Sequence, residues 1–100
     1  MAKVTWSPQS VEDIAHIAEF YFKTSSNYAE NLISSIFSKE ELISTFPEIG
    51  RIVPELNNKS VREIIFKNYR IIYSIFDENR ISVLTVHTSS KPLTDISLFD

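Results

Sequence analysis

The chain has 100 residues, no cysteine and a single glycine, which suits one compact domain (residues 1–100) with its own core and excludes disulfide and thiol chemistry. Its formal net charge of −3 speaks against general nucleic-acid affinity, because a protein that neutralises phosphates presents a surplus of Lys and Arg; a local basic patch is not excluded. No apolar run approaches the roughly 18 to 20 residues that span a bilayer, and Met1-Ala2-Lys3-Val4-Thr5-Trp6 lacks the apolar core of a signal peptide, so a cytoplasmic location and no membrane partner are expected.

Lys3-Val4-Thr5-Trp6 alternates polar and apolar residues and then meets Ser7-Pro8, predicting a first strand over residues 2–6 that ends at a helix cap. Val11, Ile14, Ala15, Ala18, Tyr21 and Phe22 recur at helical spacing, with Glu12 and Asp13 in the first turn where the helix dipole favours acids. A helix over about residues 8–24 follows, with His16 and Glu19 off the stripe and solvated. Thr24-Ser25-Ser26 breaks the pattern, and Asn27 with Glu30 three residues on resembles a capping box. The second stripe is Ala29, Leu32, Ile33, Ile36, Phe37 and Ile43, giving a helix that runs to Thr45. Two amphipathic helices joined so tightly predict an antiparallel hairpin whose apolar face needs a sheet to cover.

Phe46 to Ser60 holds two prolines and the sole glycine and reads as a connection without a regular element. It is long for a compact domain, and such loops are often functional. Arg51 follows the glycine directly; as an ordinary loop residue it would pair with Glu48 or Glu55.

Val61 to Phe76 is two β-rich runs joined at Lys67-Asn68, which predicts a hairpin. With a two-residue loop, Arg62, Ile64, Phe66, Tyr69, Ile71 and Tyr73 share one face, and Glu63, Ile65, Arg70 and Ile72 share the other. Both faces carry apolar residues, which predicts a sheet covered at least in part on each side. Arg62 and Arg70 must then lie near the rim, pair with a carboxylate or meet a partner, since a guanidinium cannot shed its proton. Glu63 is the expected partner of Arg70. Asp77-Glu78-Asn79-Arg80 is a turn, and Ile81 to His87 a third meander strand, which makes four strands with the first. His87 sits at the strand exit, Pro92 ends the pattern, and Leu93, Ile96, Leu98 and Phe99 give the tail apolar surface with which to dock. Metal-ligand clusters, phosphate-binding glycine loops and nucleophile triads are missing from the sequence, so no cofactor or metal is expected.

The element order together with Val4-x-Trp6-Ser7, Asp13-Ile14, Phe46-Pro47-x-x-Gly50-Arg51-x-Val53-Pro54-Glu55, Arg62-Glu63, Tyr69-Arg70-Ile71-Ile72-Tyr73 and Val86-His87 resembles the RelE/ParE superfamily of type II toxin–antitoxin toxins. The loop and the Arg-Glu pair are more similar to the ParE branch. The resemblance implies an α+β fold: an N-terminal strand, a two-helix antiparallel hairpin and a three-stranded antiparallel meander. It also implies a toxin that inhibits DNA gyrase by binding and is neutralised by a cognate antitoxin in a hetero-oligomer. The alternative it implies is a RelE-like, ribosome-dependent mRNA endonuclease acting on translating ribosomes and mRNA, with Arg62, Arg70 and His87 as the catalytic set. Ile64, Ser89-Ser90 and the absence of tyrosine after Pro92 leave that basic set incomplete. A third reading is a member that binds antitoxin and attacks nothing. On either toxin reading, Arg51, Arg62, Tyr69, Arg70, Tyr73, His87 and Lys91 are the residues expected near the antitoxin or the target.

Overall fold

The computed structural model describes residues 1–89. Ser90, Lys91, Pro92 and the tail positions Leu93, Ile96, Leu98 and Phe99 lie outside the described residues, and with them the docking expected of that tail.

Ser7 makes the first junction. Its N–H donates to Val83 O at 2.9 Å, its hydroxyl donates to Leu84 O at 2.8 Å, and the same oxygen accepts from Ser10 N at 3.1 Å. One residue therefore ends strand β1 (Lys3–Trp6), which lies parallel to β5 (Arg80–Thr88), and caps helix α1 (Pro8–Phe22), with Pro8 in the first turn where its missing N–H costs nothing. Helix α2 (Ser26–Thr45) is capped by Ser25, whose hydroxyl accepts from Tyr28 N at 3.2 Å. The expected Asn27–Glu30 box is therefore corrected: Ser25 holds the extended backbone that a cap requires, so the helix begins before Asn27.

Strands β3 (Val61–Phe66) and β4 (Tyr69–Asp77) pair antiparallel with Arg62 opposite Tyr73, Glu63 opposite Ile72 and Ile65 opposite Arg70. This is the face division predicted from a two-residue loop. Lys67 in that loop has φ 53°, a left-handed conformation uncommon for a residue with a long side chain. The connection after α2 is not wholly irregular: Arg51–Ile52 forms β2, pairing with Glu63 and Arg62, so among the described residues the sheet has five strands in the order β1-β5-β4-β3-β2. Two residues of edge pairing leave no periodic signal for a sequence reading to detect.

The helices cover one sheet face. Ile14, Leu32, Ile36 and Ile43 meet Ile71, Tyr73, Ile81, Val83 and Val86 there. On the other face Val53, from the connection, packs with Val61 and Ile72 against Leu56 and Leu84. The connection thus covers part of the second face, which is why both faces of the hairpin carry apolar residues.

Helix α1 buries a narrower stripe than its periodicity suggests. Ser10 and Ile14 are buried and Ile17 and Tyr21 pack beside them, whereas Val11 is 49% exposed, Phe22 is 45% exposed and Ala15 is exposed. Those three were expected in the core. Helix α1 packs against both β5 and α2, and residues 10, 14, 17 and 21 are the ones turned towards them.

Candidate partner-binding site

Tyr73 reaches out of the main core to hold the connection. It is fully buried, its hydroxyl donates to Pro47 O at 2.6 Å and accepts from Gly50 N at 3.0 Å, and burial pushes that phenol's pKa up. A Cβ on Gly50 would stand 2.7 Å from both the Glu63 carbonyl and the Tyr73 hydroxyl, so only glycine fits there. Arg62 fastens the same segment through backbone carbonyls. Its Nε donates to Lys59 O at 2.9 Å and one terminal nitrogen to Gly50 O at 3.2 Å.

On the opposite face Glu63 is the hub of an ionic chain. Its side chain is fully buried, and its oxygens accept from Arg51 Nε and Arg70 Nε, each at 2.5 Å. Arg70 then presents both terminal nitrogens to the Glu55 carboxylate, at 2.6 and 2.8 Å, a fork that matches the two oxygens. Arg70 holds the Glu55 carboxyl down to about 2, while the Arg70 guanidinium is held still more firmly protonated by Glu55 and Glu63. Two guanidinium groups and two carboxylates leave the chain neutral. The expected Arg70–Glu63 pair is present; the expected Arg51 partners, Glu48 or Glu55, give way to Glu63, because β2 places Arg51 directly opposite it.

The remaining expected residues lie at the end of the sheet near the β3–β4 turn. His87 is buried opposite Arg70 on β5 and lines a cavity of about 250 Å³ that also reaches Asp13, His16, Tyr69 and Thr85. Burial first, then the neighbouring Tyr21, pushes the Tyr69 phenol up to about 12. Glu12 and Asp13 were expected in the first turn of α1; because the helix begins at Pro8, no acidic residue falls there. Asp13 instead binds α1 to the sheet: its carboxylate accepts from Thr85 Oγ1 at 2.5 Å, from Val86 N at 3.0 Å and from Gln9 at 2.8 Å. No sequence signal distinguishes that role, since the partner lies 73 positions away.

The structure therefore brings Arg51, Arg62, Arg70 and Tyr73 together around one connection, where they act as fasteners, while Tyr69 follows the β3–β4 turn next to Arg70 and His87 lies opposite Arg70 on β5, both lining the cavity beside α1. Lys91 lies outside the described residues. Exposed apolar side chains lie on the connection at Phe46 and Ile49 and on β3 at Ile65, and also at Val11, Ala15 and Phe22 on α1 and at Phe20 and Tyr28 at the tip of the helical hairpin. Among the described residues no group of His, Asp and Glu could hold a metal ion, and no helix is long and apolar enough to cross a membrane.

A chain of a structure titled "Chromosomal ParDE TA system from P. aeruginosa" superimposes with a TM-score of 0.72, covering 88% of this chain and 96% of that one at 14% sequence identity, a likeness of fold. Among curated protein sequences nothing matches the chain. A family model described as "ParE toxin of type II toxin-antitoxin system, parDE" matches residues 4–92, from the first strand past the last. The chain belongs to the ParE toxin family of type II toxin–antitoxin systems.

Proposed function

We propose that this protein is a toxin that works in the cytoplasm by binding, that DNA gyrase is what it inhibits, and that a cognate antitoxin silences it by laying a helix along the outer face of α1. The observation that carries the antitoxin half is the second stripe of α1. Val11, Ala15, Ala18 and Phe22 are spaced by four, three and four residues, so they form one narrow apolar seam of the kind that receives another helix. Ala15 and Ala18 are small enough to let that helix come close. Glu12 and Glu19 flank the seam, which favours a partner helix with basic residues at its margins. An antitoxin segment that orders only on binding covers such a seam at little cost in chain length.

Inhibition by binding, rather than RNA cleavage, is supported by the state of the arginines. Arg70 is spent on Glu55 and Glu63, and Arg62 on carbonyl oxygens. A nuclease would have to withdraw them from these partners to meet a phosphodiester whose negative charge grows in the transition state.

The test is induced expression of the chain in cells, alone and together with any small gene found beside its own, followed by a gyrase supercoiling assay with the purified chain. Filamentation, a DNA-damage response and lost supercoiling are expected. Immediate translational arrest with codon-phased mRNA cleavage would overturn the gyrase reading in favour of the ribosome, and no toxicity at all would leave a member that only binds antitoxin. Ala15→Arg is expected to abolish antitoxin binding without changing thermal stability; unchanged binding would remove α1 as the antitoxin site.

A further inference from the structure

At the tip of the helical hairpin the aromatic side chains form a row. Phe20 meets Tyr21 edge-on with ring centres 5.0 Å apart, and Tyr21 meets Tyr28 at 5.0 Å. Lys67, in the β3–β4 turn, holds its ammonium 5.5 Å from the centre of the Tyr28 ring and 5.9 Å from that of Phe66, and Lys39, further along α2, stands 4.8 Å from Phe66 on its own account. Phe20 is 67% exposed, so the row is open to a partner.

Every arginine is committed, Arg51 and Arg70 to Glu63 and Glu55, Arg80 to Asp77 and Arg62 to carbonyls, whereas among the described residues no lysine is in an ion pair, and Lys39 and Lys67 hold their ammonium groups over aromatic rings. Lys67 is the first residue of the two-residue β3–β4 loop, whose turn gives it φ 53°, and its ammonium lies over these rings.

We propose that this tip is a docking surface for an acidic, aromatic-bearing segment of the toxin's protein target, its carboxylates meeting Lys39 and Lys67 and its ring extending the row at Phe20. The inference rests on the toxin reading only for the identity of the protein that supplies the segment. The target is favoured over the antitoxin by charge: the α1 seam is flanked by Glu12 and Glu19 and calls for basic residues, while the tip calls for acidic ones. A single strand of nucleic acid also stacks on rings, but the tip offers it two ammonium groups on a chain of net charge −3, too few cations to track a phosphate backbone.

The test uses the full chain and a random copolymer of glutamate and tyrosine as probe, followed by amide chemical shifts and calorimetry. Saturable binding is expected, with shifts gathered at Phe20, Tyr28, Phe66 and Lys67. Lys67→Gly removes the ammonium and relieves the positive φ, so it is expected to weaken the probe by about tenfold in a protein at least as stable as the parent, and Lys39→Gln to act in the same direction. Antitoxin affinity should be unchanged in both variants, and gyrase inhibition should fall. Absence of saturable binding, shifts at other lysines, tighter binding of oligo(dT) than of the copolymer, or loss of antitoxin in Lys67→Gly would each overturn the proposal. If the parent chain leaves gyrase untouched while the copolymer still binds at the tip, the gyrase reading falls and the docking surface stands. If Lys67→Gly inhibits gyrase as well as the parent does, the docking surface falls and the gyrase reading stands.

Discussion

The hydroxyl of Tyr73, at the centre of the sheet, and the amide of Gly50, in the connection between helix and sheet, are hydrogen-bonded at 3.0 Å across 23 positions of sequence. The same hydroxyl donates to Pro47 O, so a single phenol satisfies two backbone groups of the segment most marked by family resemblance. Removing the hydroxyl strands both. Tyr73→Phe is expected to cost about 2 kcal/mol, and Gly50→Ala about 1 to 3 kcal/mol because its new carbon meets the Glu63 carbonyl, a backbone atom that cannot swing aside. Urea unfolding of the two variants measures this; a Gly50→Ala protein as stable as the parent would show that the connection is not held by this contact.

Glu63 is the residue whose loss should be felt most on the other face. Its carboxylate is fully buried and answers Arg51 and Arg70 together. Glu63→Gln keeps the shape and removes the charge, leaving Arg70 largely buried with only Glu55 to compensate it. The expected loss is about 3 kcal/mol in chemical denaturation. If the variant unfolds at the parental midpoint, solvent and Glu55 already compensate Arg70 and the hub role is wrong.

Acid should loosen this face through Glu55. Its folded pKa lies at about 2, below the ordinary 4.5, so the ion pair with Arg70 contributes stability above pH 4.5 and loses it as pH falls from there towards 2. The Glu55 side chain is 39% exposed, so screening reduces the effect to on the order of 1 kcal/mol. Thermal unfolding between pH 6 and pH 2 should show the parent approaching Glu55→Gln as the pH drops. Parallel curves would separate Glu55 from the acid response.

Alkali addresses the tyrosines. Two of the four tyrosines, Tyr69 and Tyr73, are buried enough for their phenols to be pushed up, Tyr69 to about 12. A raised phenol pKa means that the neutral form is favoured in the fold. The stability from Tyr69 is therefore complete below pH 10 and disappears as pH rises through 12. Ultraviolet titration should show a late phase that shrinks in Tyr69→Phe. A single phase near pH 10 would contradict the burial of the Tyr69 phenol.

Much of the architecture was legible because its signals are local. Ser7-Pro8 marks the start of α1, the stripe from Ala29 to Ile43 runs through α2, and the Lys67-Asn68 loop fixes which residues of β3 and β4 share a face, since side chains alternate with a period of two. The Arg70–Glu63 pair could also be anticipated, because both residues fall on one face of a single hairpin.

What only the tertiary structure decided concerns residues whose partners are distant or absent. Arg51 turned to Glu63 because a two-residue strand set them opposite each other, and Arg62, read as a cation for a partner, is committed to the connection's carbonyls. Asp13 tied α1 to β5, a choice made by how a helix lies along a strand edge. Val11, Ala15 and Phe22 share the period of the buried stripe, so hydrophobicity by itself placed them inside; the side that α1 turns to β5 and α2 left them outside. Periodicity records which side chains avoid water, but it does not say whether their cover comes from this chain or from another, and for α1 that was settled by how the helix packs.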